Sequence, residues 1–347
     1  MSCVGVKLKH IKVIPLAAES LGVRSMCTYV ETPDVGVLLD AGVSLCPIRF
    51  GLPPHPEEFK AIDLCRKRIA KTAERAQIVT ISHYHFDHHT PSFEDWLCNW
   101  TETEETSKQI YNEKIVLAKD PRKQINPSQR RRGWLFKRTN GKFIKRLEYA
   151  DRRTFKFRKH TMVRFSEPVF HGIKSSGLGW VIMTTIEYKG EKFVFTSDVQ
   201  GPMNSKTLEL ILKEDPQTIM IGGPPLYLAE FRVKEENIQK GLKNLETIVE
   251  NVPYTILDHH ILRDEDWMGK TEKVFNAARE NGNRVLTAAE FSGKNNTLLE
   301  ATRKQLFDKK PPSKEFKKWM RKSEEKKKHI KPPLSLQNSR ALKLKDA

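Results

Sequence analysis

The sequence predicts an α/β protein. Short, β-branched apolar runs alternate with amphipathic helical stretches, and this strand-then-helix rhythm occurs in each half of the 347 residues. Five of the predicted strands also run straight into a histidine or an aspartate. Such endings gather polar groups along sheet edges, where the sites of open sheets collect.

The first third reads as strands at residues 11–16, 26–31 and 35–39, separated by turn residues such as Thr32-Pro33-Asp34. Residues 56–76 predict a helix, because Phe59, Ile62, Ile69 and Ala73 recur at helical spacing among charges. Residues 76–82 form an apolar, β-rich strand, and a short helix is expected around 92–100. A second β region spans 161–196, with Lys189-Gly190 as a hairpin turn. Helices are expected at 205–213, 235–250, 271–281 (with Gly282 just past its end) and 298–307. Buried strands fall at 218–221 and 255–257. The domain is expected to cover residues 1–307. Residues 308–347, broken by Pro311-Pro312 and Pro332-Pro333, read as a basic, largely disordered tail. Within it, Phe316, Trp319 and Met320 share one face of a short helix, docked or transient.

The net charge of +18 is unevenly placed. Residues 119–160 hold 16 Lys/Arg against three Asp/Glu, and residues 303–347 hold 16 against five. The rest of the chain is mildly acidic, so the basic excess speaks of partners for two segments and not of the fold. Five scattered cysteines without a Cys-x-x-Cys pair argue against a disulfide framework and a thiolate zinc site, and fit a reducing compartment. No apolar run approaches the ~20 residues that span a bilayer. A cytoplasmic location without membrane association is the expectation.

Residues 83–89 read His-Tyr-His-Phe-Asp-His-His. Following a strand, His83 and His85 point to the same side, with Asp87 and His88 next in line. So many imidazole and carboxylate groups in so short a span repel or waste burial unless a cation gathers them, and these are ligands that Zn²⁺ takes in catalytic sites. Asp40, His171, Asp198 and the pair His259-His260 close four other strands. Singly, each is explained as a turn former or a satisfied polar group; together they share one address.

In these five motifs, in this order, residues 10–295 resemble the metallo-β-lactamase superfamily. The resemblance implies a four-layer αββα sandwich and a metal-dependent hydrolase. It implies a first metal on His83, His85, His171 and Asp198, and a second on Asp87, His88, Asp198 and either His259 or His260. Asp40 would orient ligands from behind. His259 is favoured because Leu257-x-His259 with Arg263 four residues on looks like the last motif of tRNA 3′-end processing endonucleases. His260 would then face substrate as a catalytic group, and His89 would start a helix. More specifically, the chain resembles an uncharacterised archaeal branch of predicted metal-dependent hydrolases. The likeness lies in the stretches at 19–26, Asp120-Pro121 with Ile125-Asn126-x-Ser128-Gln129, 197–202, and Asp258-His259-His260 with Arg263-Asp264. His85 is not a glutamate, which disfavours a di-iron oxygen-reducing site, and no cysteine occupies the bridging position of many true β-lactamases. Extra motifs of a nuclease cap domain are not found.

Two cations ~3.5–4 Å apart activate water and hold a leaving oxygen. Zinc is the first choice, with Mn or Fe as the other divalent candidates. Asp87 could serve as both ligand and proton shuttle. The chemistry suits phosphodiesters of RNA or DNA, and equally a small-molecule ester, lactone, thioester or phosphoester. A third reading is a nucleic-acid-binding protein with a structural metal site. The basic segment 119–160, read as an insert, carries Arg130, Arg131 and Arg132 followed by Trp134, Phe136, Phe143, Tyr149, Phe155 and Phe157. Cations interleaved with aromatics suit a phosphate backbone and stacked bases; aromatics packed on the core are the equal alternative. The tail would add non-specific attraction to RNA or DNA, or simply solubilise. Arg24 and Ser25 in the first loop, together with Arg263, are candidate substrate contacts, Arg24 as a bidentate clamp. Lys174 and the Gly222-Gly223 turn are weaker ones.

Overall fold

Alternating burial builds two sheets with a core on each side. In a computed structural model describing residues 8–98, 103–174, 177–229 and 231–335, the first sheet runs in the order β1 (Lys12–Pro15), β2 (Thr28–Glu31), β3 (Gly36–Leu39), β4 (Ile78–Ile81), β5 (Ile115–Ala118), β6 (Arg146–Tyr149). Its first three strands are antiparallel and its last four parallel. Next come β7 (Thr154–Phe157), β8 (Thr161–Phe165), a two-stranded ribbon of β9 (Val169–Phe170) and β10 (Trp180–Val181), β11 (Thr184–Tyr188), β12 (Glu191–Gln200), β13 (Thr218–Gly222), β14 (Tyr254–Asp258) and β15 (Arg284–Leu286). The second sheet has the order β15-β14-β13-β12-β11-β8-β7.

Val37 and Leu39 face the second sheet while Leu38 faces outward; Phe193 and Phe195 alternate with Val194 in the same way. The inward residues of both sheets meet in one central core. Outside the first sheet lie α1 (Pro56–Ala73), α2 (Thr103–Tyr111) and α3 (Pro127–Asn140). Outside the second lie α4 (Ser205–Glu214), α5 (Glu235–Asn251), α6 (Trp267–Lys270) and α7 (Glu272–Glu280). The layering is αββα, as expected. The hairpin at Lys189-Gly190 forms with both residues at positive φ, which matches the twist of β11 and β12.

Three expectations are corrected. Residues 92–98 form turns, not a helix. Asp95 accepts from Leu97 N at 2.8 Å, and Leu97 O accepts from Leu45 N, so local and tertiary bonds replace helical ones; residues 99 and 100 lie outside the described residues. The basic segment is not an insert: it supplies α3, the edge strand β6 of one sheet and the edge strand β7 of the other. Its charges point outward from elements the fold requires. The tail, finally, forms helices within its described residues, 308–335. After α8 (Ala288–Phe291) and α9 (Arg303–Lys309), α10 (Lys314–Met320) packs on α1, and α11 (Glu324–Lys328) reaches Trp96 and Trp319 through Lys327. Ser313 caps α10 by accepting from Phe316 N, and the Phe316 and Trp319 rings lie 5.9 and 5.4 Å from that of Phe59. Lys327 sits 3.5 Å from the Trp96 ring. The end of the tail, residues 336–347, lies outside the described residues.

Docking of this kind stabilises through buried aromatic area. Trp319→Ala is expected to cost about 3–5 kcal/mol, read as a lower urea midpoint; an unchanged midpoint would show that the tail contributes nothing to the fold.

Candidate metal centre

Strand ends of both sheets converge on one edge. β3 delivers Asp40, β4 delivers Ser82 and His83, β12 carries Ser197 and Asp198, and β14 runs into His259. Asp40, Ser197 and His259 all hold positive φ (46°, 54° and 67°). Such backbone persists in non-glycine residues only where the surroundings enforce it, and it clusters at functional sites. A register shift in the β12–β13 pairing between Phe195 and Gln200 brings Asp198 to the edge. Gly42 lets the chain after β3 pass the ligand loop, since a Cβ there would lie 2.6 Å from His88 N.

The buried Asp40 carboxylate accepts from Ser82 N (2.8 Å), Ser82 Oγ (2.5 Å), Ser197 Oγ (2.7 Å) and His88 Nδ1 (2.9 Å). That last bond turns His88 Nε2 toward the site, where it is buried without a hydrogen-bond partner among the described residues. Asp198 Oδ1 makes no well-aligned hydrogen bond among the described residues, although His260 Nε2 lies 3.1 Å from it. Ligand atoms of His83, His85, His171 and Asp198 lie within 4.8 Å of one another, as do those of Asp87, His88 and His259. Asp198 stands between the sets. Its Oδ2 is 2.5 Å from His171 Nε2 and 3.7 Å from His88 Nε2, while its Oδ1 is 3.5 Å from His259 Nε2. Orphaned nitrogens and oxygens aimed at one space, in an imidazole–carboxylate set without thiolate, fit two divalent cations.

The electrostatics agree with that donor set. Burial, then His171, hold the His85 imidazole down at about 3, so it is neutral and ready to ligate. Burial pushes the carboxyls of Asp87 and Asp198 up, but the surrounding imidazoles outweigh it and keep both well below the usual range. His88 is the exception. Burial pulls it down, yet Asp87, Asp40 and Asp198 lift it to about 9.

His259 and His260 take different places. His259 is wholly buried, 3.7 Å from Asp87 Oδ2. His260 keeps slight exposure; its Nε2 is 3.1 Å from Asp198 Oδ1 and its Nδ1 faces Arg263 Nη1 (3.1 Å) and the Tyr227 hydroxyl (3.3 Å). His89 turns away, with Nδ1 2.9 Å from the His85 carbonyl.

Three residues read from the sequence as substrate contacts are reassigned. Arg24 does form a bidentate clamp, but on Glu300, with both bonds at 2.6 Å. Ser25 is buried and donates to Gly42 O. Arg263 is buried behind the two histidines, with Nε on Glu19 (2.8 Å) and Nη2 3.3 Å from His259 Nδ1. Arg130, Arg131 and Arg132 diverge around α3: Arg132 covers Phe86 at 4.4 Å, while the other two are exposed. Lys174 lines a cleft on the His171 side with Gln200 and Leu228. Of the aromatics in the basic segment, Phe136 and Phe155 are core while Trp134 is 54% exposed, so each of the two readings holds for part of it. The sequence reading passed over Ser82, Ser197, Glu19, Tyr227 and Asp258. Asp258 accepts from Ser20 N, His259 N and Ala288 N, which fixes the turn that presents His259.

No family model matches the chain. A UPF0282 protein of Methanopyrus kandleri is 42% identical over 296 residues, covering 85% of this chain and 99% of that protein. The chain belongs to the UPF0282 family. A second UPF0282 member, from Methanocaldococcus jannaschii, is 43% identical over 85% of this chain and 96% of its own length. Among solved structures, the metallo-beta-lactamase fold protein YhfI of Bacillus subtilis superposes with a TM-score of 0.46 at 12% identity, over 79% of this chain and 95% of that chain. This UPF0282 member has the αββα layer order that the sequence resemblance implied, and the side chains it implied as ligands lie close together.

A pH dependence follows from His88. An imidazole lifted to about 9 holds a proton at neutral pH that a cation must displace. Cation affinity of the metal-free UPF0282 protein is therefore expected to climb between pH 7 and 9, releasing about one proton per chain from this group. Calorimetry in buffers of different ionisation heat counts that proton, and a count of zero at pH 7 contradicts the assignment.

Proposed function

We propose that this protein is a metal-dependent hydrolase with a dinuclear centre, acting on phosphodiester bonds of RNA or DNA. The observation that carries the reading is Asp198, a buried carboxylate with one oxygen toward His171 and the other toward His259. His83, His85, His171 and Asp198 would hold one cation; Asp87, His88, His259 and Asp198 would hold the other. Two divalent ions there, zinc ahead of Mn or Fe for these donors, would polarise the scissile bond and activate water.

The chain's own groups supply the rest. Asp40 keeps His88 in one orientation and tautomer. Arg263 can only donate, so the Nδ1 of His260 accepts and a neutral His260 carries its proton on Nε2, toward Asp198. From there its N–H can donate a hydrogen bond to a developing oxyanion without giving up the proton. Asp87, on the side of His259, is the candidate for moving a proton. The phosphodiester preference is supported by α3, which has five cations and no acid and begins beside His85.

One observation favours a second reading. A cleft of about 1170 Å³ opens beside His171, lined by apolar Ile173, Met203 and Leu228 and by the cations Lys174, Arg232 and Lys234. It would suit a small amphipathic anion, such as a phosphoester, or an ester, lactone or thioester with a charged end.

Purified protein with quantified metal, tested on bis-nitrophenyl phosphate, single-stranded RNA and DNA, lactones and thioesters, separates the two. Asp198→Ala is expected to abolish turnover and metal retention, and Asp40→Ala to weaken both by roughly 10- to 100-fold. Undiminished turnover after chelation and gel filtration would refute the hydrolase reading.

A further inference from the structure

The outward face of α3 carries more than its charge count. Arg130, Trp134 and Lys137 follow one another at helical spacing (i, i+4, i+7) and share a stripe. With Pro121, Arg122 and Tyr149 they line a groove of about 380 Å³. An indole left 54% exposed on a charged helix loses apolar burial for no gain in the free protein. Cations frame it. Arg122 lies 4.9 Å over the Tyr149 ring and Arg138 lies 5.1 Å over Trp134. Arg122 is paired with Asp120, but among the described residues Arg130, Arg131 and Lys137 have no carboxylate partner. The groove thus offers aromatic faces and unneutralised positive charge together.

The helix that carries the stripe also begins beside the metal residues. Gln129, one residue before Arg130, places Nε2 3.5 Å from His85 Nε2 and accepts from Tyr84 N. Arg132, on the inner side of the same turn, covers Phe86 and donates to Tyr84 O at 3.4 Å. One helix therefore touches the ligand loop through Gln129 and Arg132 and carries the groove through Arg130, Trp134 and Lys137.

We propose that this groove binds a single-stranded polynucleotide, with a base stacked on Trp134 and phosphates on Arg130 and Lys137, and leads the strand toward the metal residues. Exposed aromatics read the π-face of any base and flanking cations track the backbone, which is the chemistry of sequence-tolerant single-strand binding. A duplex hides its base faces and leaves Trp134 without a role. An acidic peptide matches the charge but offers no flat ring for the indole. The proposal deepens the phosphodiester reading and rests on it for the reason the groove leads to the metals.

The test measures binding and cleavage separately, on the full-length, metal-loaded protein and again in EDTA. Fluorescein-labelled 12-nucleotide single strands of RNA and DNA, the matching RNA duplex, and poly-glutamate as a competitor are the probes. Single strands are expected to bind with steep salt dependence, and Trp134→Ala to weaken them about tenfold or more, with Trp134→Phe recovering most of the loss. Trp134 is half exposed, so its removal leaves the fold intact, which circular dichroism checks. Replacing Arg130 and Lys137 together by Ala should flatten the slope of log affinity against log salt by about 1.4. Wild-type affinity in Trp134→Ala, equal or better binding of the duplex, or displacement by poly-glutamate at matched charge overturns the proposal. Binding in EDTA with no cleavage when metal-loaded would refute the hydrolase reading and leave the groove standing. Cleavage unaffected by Trp134→Ala, with unchanged binding, would do the reverse.

Discussion

Everything at the functional edge hangs on one buried carboxylate. Asp40 gathers four donors from Ser82, Ser197 and His88, and so joins the ends of β3, β4 and β12 across both sheets. A carboxylate with no exposure costs several kcal/mol unless hydrogen bonds replace its water. Those bonds dictate where the next residues go: His88 Nε2 is turned inward, and Ser197 takes a left-handed backbone just before Asp198. The convergence of these imidazoles and carboxylates is thus a consequence of satisfying Asp40, and cations bound there would in turn relieve their crowding.

A second tier of buried charge holds the rear wall. Arg263 pairs with Glu19, Arg24 with Glu300 and Arg303 with Glu58, each at 2.8 Å or less. Burial pushes the Glu19 carboxyl up, against the opposing pull of Arg263. Guanidinium groups suit this task, because their fork saturates a carboxylate and still leaves donors for backbone and histidine nitrogens. Arg263 shows the benefit: from Glu19 it reaches His259 and His260 together and sets which nitrogen of His260 carries a proton. Loop residues near the entrance and the segment around residue 300 are thereby clamped into the same unit as the ligands.

The charge layout then acquires a physical logic. Cations that serve the fold are paired, Arg263 and Arg303 fully buried and Arg24 largely so. Those on the outward stripe of α3 have no carboxylate partner among the described residues and stand beside an exposed indole. The first kind buys order at the site; the second creates a field that attracts anions to its approach.

Most of the central strands, and the His and Asp residues that close them, were legible because their causes are local. A strand announces itself by period-two burial, and a cation demands His and Asp at the residues where strands end, so both leave marks in sequence spacing. The reading of His83, His85, Asp87 and His88 needed only seven adjacent residues. Tertiary structure alone decided the fate of the arginines, since Arg24 meets Glu300 across 276 positions and Arg263 meets Glu19 across 244. It also decided that the tail packs, because the Phe59 and Trp96 faces that receive Phe316 and Trp319 exist only once α1 is docked. What a residue is able to do was written in the chain; which of its bonds are already spent was settled only by what lies across the fold.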